Sequence, residues 1–196
     1  HCSTADSVKM VKEAAADGVA VTAEVCPHHF TLTEDDIPGD DANYKMNPPL
    51  RSKADKEALI RGLSENIMEA ISTDHAPHHA DEKAVGIAKA PFGIVGSETA
   101  LALTMTELVK KGKLTPYEMV ERMSYAPAKI LGIDKGSLME GRMADITIID
   151  PDAEYVIRKD DFVSKGKNTP FDGYKANGRV MMTIVAGNIV YEYKEN

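Results

Sequence analysis

The sequence has no tryptophan, only two cysteines and no apolar run of membrane-spanning length. Each shortage excludes something. Cys2 and Cys26 cannot form the disulfide framework of a small secreted domain, so both read as small buried hydrophobes in a reducing, cytoplasmic setting. Apolar stretches such as Val19 to Val25 and Ile146 to Ile149 fall far short of the roughly 20 residues a spanning helix needs, so no membrane is expected. Basic residues are not in surplus either: 23 Lys and Arg stand against 31 Asp and Glu, a net charge of −8. Binding nucleic acid through counterion release needs clustered cations, and here they are interspersed with acids, so no nucleic acid is expected. The chain opens on His1 with no Met or export signal, which reads as a processed chain or a piece of a longer polypeptide.

Against these shortages stands an ordinary globular composition: 196 residues, 43% of them hydrophobic, enough for a real core. Ser3 and Thr4 offer capping oxygens, and Val8, Val11 and Ala15 recur at helical spacing, which predicts a helix from Ser3 to Asp17. Val19, Val21, Ala23 and Val25 then alternate with smaller or polar neighbours and predict a strand that stops at Pro27. The beat repeats. Ser52 caps a helix through Ala58, Leu59 and Leu63, and the next strand, Ile67 to Ile71, ends at Ser72-Thr73-Asp74. Helix followed by short apolar strand, twice over, is the pattern of an α/β protein with parallel strands. Further on, Ser97 opens a helix through Leu108, Thr115-Pro116-Tyr117-Glu118 combines a capping box with Pro at the first helical position, and Ala126-Pro127 starts a short helix ending at Gly132. Beyond Gly136 the pattern turns to strands: Asp145 to Ile149, Glu154 to Ile157, Arg179 to Ala186 and Asn188 to Tyr193, the last two joined around Gly187-Asn188. The change predicts two domains, 1–134 and 135–196.

All six histidines fall within the first 79 residues, before the first helix and in the two loops that follow the strands. The C-terminal edge of a parallel sheet is where sites are built. Asp74 lies in the densest group, Thr73-Asp74-His75-Ala76-Pro77-His78-His79. A carboxylate there can ligate a divalent metal and exchange a proton with water, or it can simply form a turn; Pro77 stiffens the segment and holds His78 at a set distance from it. His28 and His29 are adjacent at a strand end and point to opposite sides, so at most one faces a common site, and a ring hydrogen-bonded near the strand end is the structural role. The loop from Leu32 to Leu50 carries Asn47-Pro48-Pro49-Leu50-Arg51, a side-chain amide ahead of two prolines that is either a turn or a presented polar group.

Taken together, His1-Cys2-Ser3-Thr4, Tyr44-Lys45-Met46-Asn47-Pro48-Pro49-Leu50-Arg51, Ser72-Thr73-Asp74-His75-Ala76-Pro77-His78 with Lys83, and Ala90 through Glu98 resemble the dihydroorotases of the amidohydrolase superfamily in order and spacing. Gly136-Ser137-Leu138, Gly141 and Ala144-Asp145-Ile146 resemble the entry into that superfamily's small β domain. The resemblance implies the C-terminal part of a (β/α)8 TIM-type metallo-dependent hydrolase barrel, followed by part of a β-rich sandwich domain. It implies a binuclear zinc site in which His1 ligates one ion and Asp74 ligates the other and acts as the catalytic acid/base. Asn47 and His78 match residues that hold the substrate, and Phe92 and Gly93 match a backbone contact to its ring. His28, His29, His75 and His79 match no zinc ligand. The implied reaction is the reversible closure of N-carbamoyl-L-aspartate to L-dihydroorotate, a step of pyrimidine synthesis, in which zinc polarises the ring amide carbonyl and Asp74 carries a proton to the leaving nitrogen.

The superfamily's His-x-His pair, its bridging acidic or carboxylated-lysine ligand, a further His ligand and the Arg that grips the substrate carboxylate are absent, and on this resemblance all lie upstream of His1. Ser72 stands where Ala or Gly is more usual. The missing N-terminal part of the barrel is therefore the first expected partner, a second copy in a homodimer the next, and aspartate transcarbamoylase a third. Two alternatives stay open: a hydantoinase or allantoinase of the same superfamily, and a non-catalytic dihydroorotase-like subunit that supports a transcarbamoylase.

Overall fold

A computed structural model describes residues 1–194. Helix α1 (Ala5–Ala16) starts as the sequence predicts, with the Thr4 hydroxyl accepting from the Ser7 N–H at 3.1 Å, and it buries Val8. It packs on α3 (Lys53–Ser64), which Ser52 caps and which buries Leu59, Ile60 and Leu63. Two very short strands, β1 (Glu24–Val25) and β2 (Ala70–Ile71), pair in parallel with Glu24 opposite Ala70 and Val25 opposite Ile71. The His1-Cys2 segment lies alongside, tied by the Cys2 N–H to the Glu24 carbonyl at 2.9 Å.

The strands are shorter than the alternation predicts. Three of the four ladder residues, Val25, Ala70 and Ile71, enter the core, while Val19 at the start of the expected strand is 57% exposed. Alternation marks which side chains can be buried, but a ladder also needs a neighbouring strand. Pro27, the expected strand stop, also opens α2 (Pro27–Thr31), because its fixed φ and missing N–H suit the first helical turn. The loop from 32 to 50 holds two single 3₁₀ turns, Glu34–Asp36 and Ala42–Tyr44.

Helix α4 (Ala80–Lys83) is one turn long, and α5 (Ala100–Thr104) begins three residues later than expected and runs on through a π turn, Met105–Val109. The Thr115 capping box forms as predicted at the head of α6 (Pro116–Val120). A second π turn, Glu121–Tyr125, carries the chain without a break into α7 (Ala126–Leu131), and Gly132 at φ +66° ends it. Pro127 has no N–H to give to the preceding turn, and the wide turn before it is where the helix absorbs that loss.

The C-terminal strands form one antiparallel sheet in the order β3 (Ile146–Val156), β4 (Lys175–Val185), β5 (Asn188–Glu192). The two strands expected at Asp145 to Ile149 and Glu154 to Ile157 are a single strand with register shifts after Ile148 and between Asp150 and Glu154. The β4–β5 turn is made by Ala186 and Gly187, both at positive φ, one residue earlier than the sequence predicts.

Two cores result. One joins Val8, Val25, Phe30, Leu59, Leu63 and Ile71. The other joins Met46, Leu50, Ile94 and Leu103 to Ile157, Phe171 and Ala176, so residues after 134 pack directly on the loops that follow β1 and β2. Among the described residues no helix is long and apolar enough to cross a membrane.

The parallel pair has open edges, and large apolar side chains stay in solvent, with Leu131 at 71% and Leu138 at 78% exposed beside Ile133, Met139 and Met143. Unpaired edges and exposed apolar surface recruit partners. The 196-residue chain alone is therefore expected to self-associate and to unfold without a cooperative monomeric transition, as read by sedimentation velocity and thermal circular dichroism; a single sharp monomeric transition would contradict this.

Candidate functional site

Because β1 and β2 run parallel, Glu24 and Asp74 emerge at the same edge, and His1 reaches that edge from the neighbouring segment. The His1 ring stands between two carboxylates: Nδ1 is 2.6 Å from Glu24 Oε1 and Nε2 is 3.4 Å from Asp74 Oδ1. Ser72 Oγ lies 3.3 Å from the same Nδ1. With the Nδ1 proton given to Glu24, Nε2 presents a lone pair on the side of the Asp74 carboxylate, so the two groups would serve ions of one metal centre. The donor set of imidazole nitrogen and carboxylate oxygen, with a carboxylate behind the imidazole, fits zinc.

Asp74 holds its place at a cost: its φ is +48°, a left-handed backbone that L-residues other than Asn and Asp seldom take. Burial pushes its carboxyl pKa up, the nearby N-terminal ammonium opposes this, and the Glu24 charge adds to it. Cys26 also falls within 4.8 Å of the His1 and Asp74 ligand atoms. Its thiol is pushed up to about 12, mainly by burial, with a Ser72 contact at 3.5 Å opposing, so it stands as the neutral buried group the sequence predicts. Cys2 is only partly buried.

The remaining predicted residues form a second group. His78 Nε2–H donates to the Phe92 carbonyl at 2.9 Å, and Gly93 N–H donates to the Lys45 carbonyl at 2.9 Å. Gly93 has φ +118°, and a Cβ there would collide with that of Ala76, so only glycine lets the two loops come this close. Its carbonyl accepts from Lys83 Nζ at 2.9 Å. Three of the four backbone polar groups of Phe92 and Gly93 are thus engaged, and the Phe92 N–H is the one without a partner among the described residues. The exposed Phe92 ring lies 4.6 Å from Lys45 Nζ. Asn47 has an exposed side chain between two anchors: Met46 is buried, and the Pro48 carbonyl accepts from His29 Nε2–H at 2.8 Å.

That bond gives His29 the structural role expected of it, although it lies in α2 and not at a strand end. His28 and His29 are both buried, and His28 Nε2 and His29 Nδ1 have no partner among the described residues. His75 Nδ1 accepts from the Gly96 and Ser97 N–H groups at 3.1 and 3.3 Å, and His79 caps α4. Glu24 was not singled out from the sequence. The signal was there: a lone acid near the C-terminal end of a largely apolar strand, one residue ahead of Cys26-Pro27.

Burial holds the His29 pKa down to about 4 and His28 well below its ordinary 6.5, with the Pro48 hydrogen bond opposing the shift at His29. Between about 4 and 6.5 the unfolded chain binds the proton that folded His29 refuses, so stability is full above 6.5 and falls as pH drops through this window, by about 3 kcal/mol for this group. The urea midpoint of the assembled protein should therefore fall from about pH 7 to about pH 5, and less steeply in His29→Gln; equal slopes would contradict the assignment.

Comparison with known proteins agrees with these features. The model of the Amidohydrolase family matches residues 1–190. A dihydroorotase of Bacillus cereus (strain AH820) is 54% identical over 192 residues, which is 98% of this chain and 45% of the relative, and one of Bacillus cytotoxicus is 53% identical over the same span. Among solved structures, an L-hydantoinase (dihydropyrimidinase) from Arthrobacter aurescens superposes with a TM-score of 0.91 at 33% identity, covering 100% of this chain and 44% of that one. A dihydropyrimidinase from Brevibacillus agri NCHU1002 superposes with a TM-score of 0.93 at 29% identity, covering 98% and 44%. The chain thus spans less than half the length of these relatives, and over that length it belongs to the amidohydrolase family.

Proposed function

We propose that this chain is the C-terminal half of a dihydroorotase. In this reading residues 1–134 supply the last strands and helices of a (β/α)8 barrel and 135–196 supply part of a small β-rich domain. An upstream portion of the same polypeptide completes both and covers the exposed apolar residues near α7. The whole then works in the cytoplasm, as a homodimer, to interconvert N-carbamoyl-L-aspartate and L-dihydroorotate in pyrimidine synthesis. The observation that carries the reading is the 3.4 Å approach of His1 Nε2 to Asp74 Oδ1 at the end of two parallel strands. The 54% identity to a dihydroorotase, against 33% to a hydantoinase, favours dihydroorotate over hydantoin as substrate.

His1 and Asp74 would each hold one ion of a binuclear zinc site, the other ligands coming from upstream. Zinc bound there polarises a carbonyl as a Lewis acid and acidifies water. Glu24 accepts the His1 Nδ1 proton and so keeps Nε2 turned to the site. During hydrolysis Asp74 takes a proton from the attacking water and delivers it to the ring nitrogen as the amide C–N bond breaks; in ring closure it carries the proton back. Asn47 offers a donor and an acceptor to the substrate, His78 sets the Phe92 backbone, and the free Phe92 N–H faces the ring. A non-catalytic subunit that supports aspartate transcarbamoylase would have no use for this set, and retention of His1, Asp74, Asn47 and His78 speaks for an enzyme.

In the complete enzyme, Asp74→Asn should lower kcat by about 10³-fold or more, because the proton carrier is gone, while Asn47→Ala should act chiefly on KM by about tenfold. Steady-state assays with dihydroorotate, hydantoin and allantoin in parallel check this. An Asp74→Asn kcat equal to that of the parent, or preference for hydantoin, would contradict the reading.

A further inference from the structure

The segment between β3 and β4 does not stay with its sheet. Past the 3₁₀ turn Lys159–Asp161 it crosses the loops that hold His78 and Phe92 and is fastened there at several points. The Glu98 carboxylate accepts from the Val163 and Ser164 N–H groups at 2.7 and 3.0 Å. Gly166 lies so close to the site loop that a Cβ on it would stand 2.7 Å from that of Pro77. Asn168 is 6% exposed and has all its backbone and side-chain bonds on these loops. Its carbonyl accepts from the Val95 N–H at 2.9 Å and its Oδ1 from the His78 N–H at 2.9 Å. Its Nδ2 donates to the Ala76 carbonyl at 3.0 Å and the Gly93 carbonyl at 3.1 Å.

One side chain thus meets two carbonyls and one N–H, a demand that suits a neutral amide. A carboxylate cannot donate, and a hydroxyl has one hydrogen to give. The three bonds join the turn that carries His78 to the backbone that carries Gly93, and the His78 ring closes the loop on the Phe92 carbonyl. Lys83 shares the Gly93 carbonyl but comes from the turn itself, so it does not link to the C-terminal segment.

We propose that Asn168 is a positioning residue of the substrate site: from the C-terminal segment it sets the spacing between His78 and the Phe92–Gly93 backbone. The proposal rests on the dihydroorotase reading. Removing the clasp leaves the His1, Glu24 and Asp74 group untouched and lets the substrate loops drift apart, so it should act on substrate binding and spare the metal ligands. A misplacement of this kind is costly because binding and turnover depend on near-rigid geometry.

The test uses the complete enzyme with Asn168→Ala and the near-isosteric Asn168→Asp, which keeps the volume but turns a charge on two carbonyls. KM and kcat for dihydroorotate, zinc content and thermal unfolding are measured, together with His78→Ala and the His78→Ala/Asn168→Ala pair. Both Asn168 variants should raise KM about tenfold, lower kcat by less than about threefold and retain zinc, and the double variant should raise KM by less than the product of the single effects. Unchanged KM in a folded Asn168 variant, loss of zinc, or a fully multiplicative double variant would overturn the proposal. Should Asn168→Ala fail to fold, the Asn168→Asp values decide. A parent enzyme that does not turn over dihydroorotate would overturn the functional reading itself; an active parent with unaltered variants would overturn the clasp alone.

Discussion

The parallel register of Glu24–Val25 with Ala70–Ile71, and the bond from Cys2 to the Glu24 carbonyl, bring His1, Glu24 and Asp74 to one edge from positions 23 and 50 residues apart in the chain. His1, Glu24 and Asp74 meet only because of that register. A slip of one residue in β2 would send Ile71 out of the core and reverse the side on which the following turn leaves. The chemistry therefore depends on a ladder of two residue pairs, and the ladder depends on the core beneath it, where Val25, Phe30, Leu63 and Ile71 pack against the two long helices.

The loops that carry Asn47, His78 and Phe92 are held by a different device, a chain of hydrogen bonds from loop to loop. His29 holds the Pro48 carbonyl, Lys45 receives the Gly93 N–H, His78 reaches the Phe92 carbonyl, and Asn168 ties His78 to Gly93. Uncharged backbone groups and the Asn168 amide supply most of these bonds, and the Lys83 ammonium adds one at the Gly93 carbonyl. Beneath them, burial holds the pKa values of His28 and His29 down. On the proposed reading the labour is divided, with the metal-facing groups on a ladder and the substrate-facing groups on loops whose spacing is set by hydrogen bonds.

Much of this was legible in the sequence. Caps at Thr4, Ser52 and Thr115, the stop at Gly132 and the β4–β5 hairpin follow from local chemistry, and the structure has them within a residue or so. Strand lengths were not legible, because alternation at Val19 to Val25 reports which side chains can be buried and not where a partner strand exists. The stop at Pro27 was legible, but the helix that starts there was not, because proline ends strands and begins helices with equal ease. At the site, His1, Asp74, Asn47 and His78 stood out by residue type and motif. Glu24 and Asn168 did not, since an acid and an amide have no signature until the fold shows what faces them, at distances of 2.6 Å from His1 and 2.9 Å from the His78 N–H.

On the proposed reading, His1 and Asp74 are the C-terminal contribution to a zinc centre completed by upstream residues. The most direct measurement is a crystal structure of the complete enzyme with anomalous scattering recorded at the zinc edge. Anomalous peaks are expected bonded to His1 Nε2 and to an Asp74 carboxylate oxygen, with Glu24 still on His1 Nδ1 and further ligands from the upstream chain. Zinc bound without either residue, or His1 turned to coordinate through Nδ1 with Glu24 displaced, would contradict it.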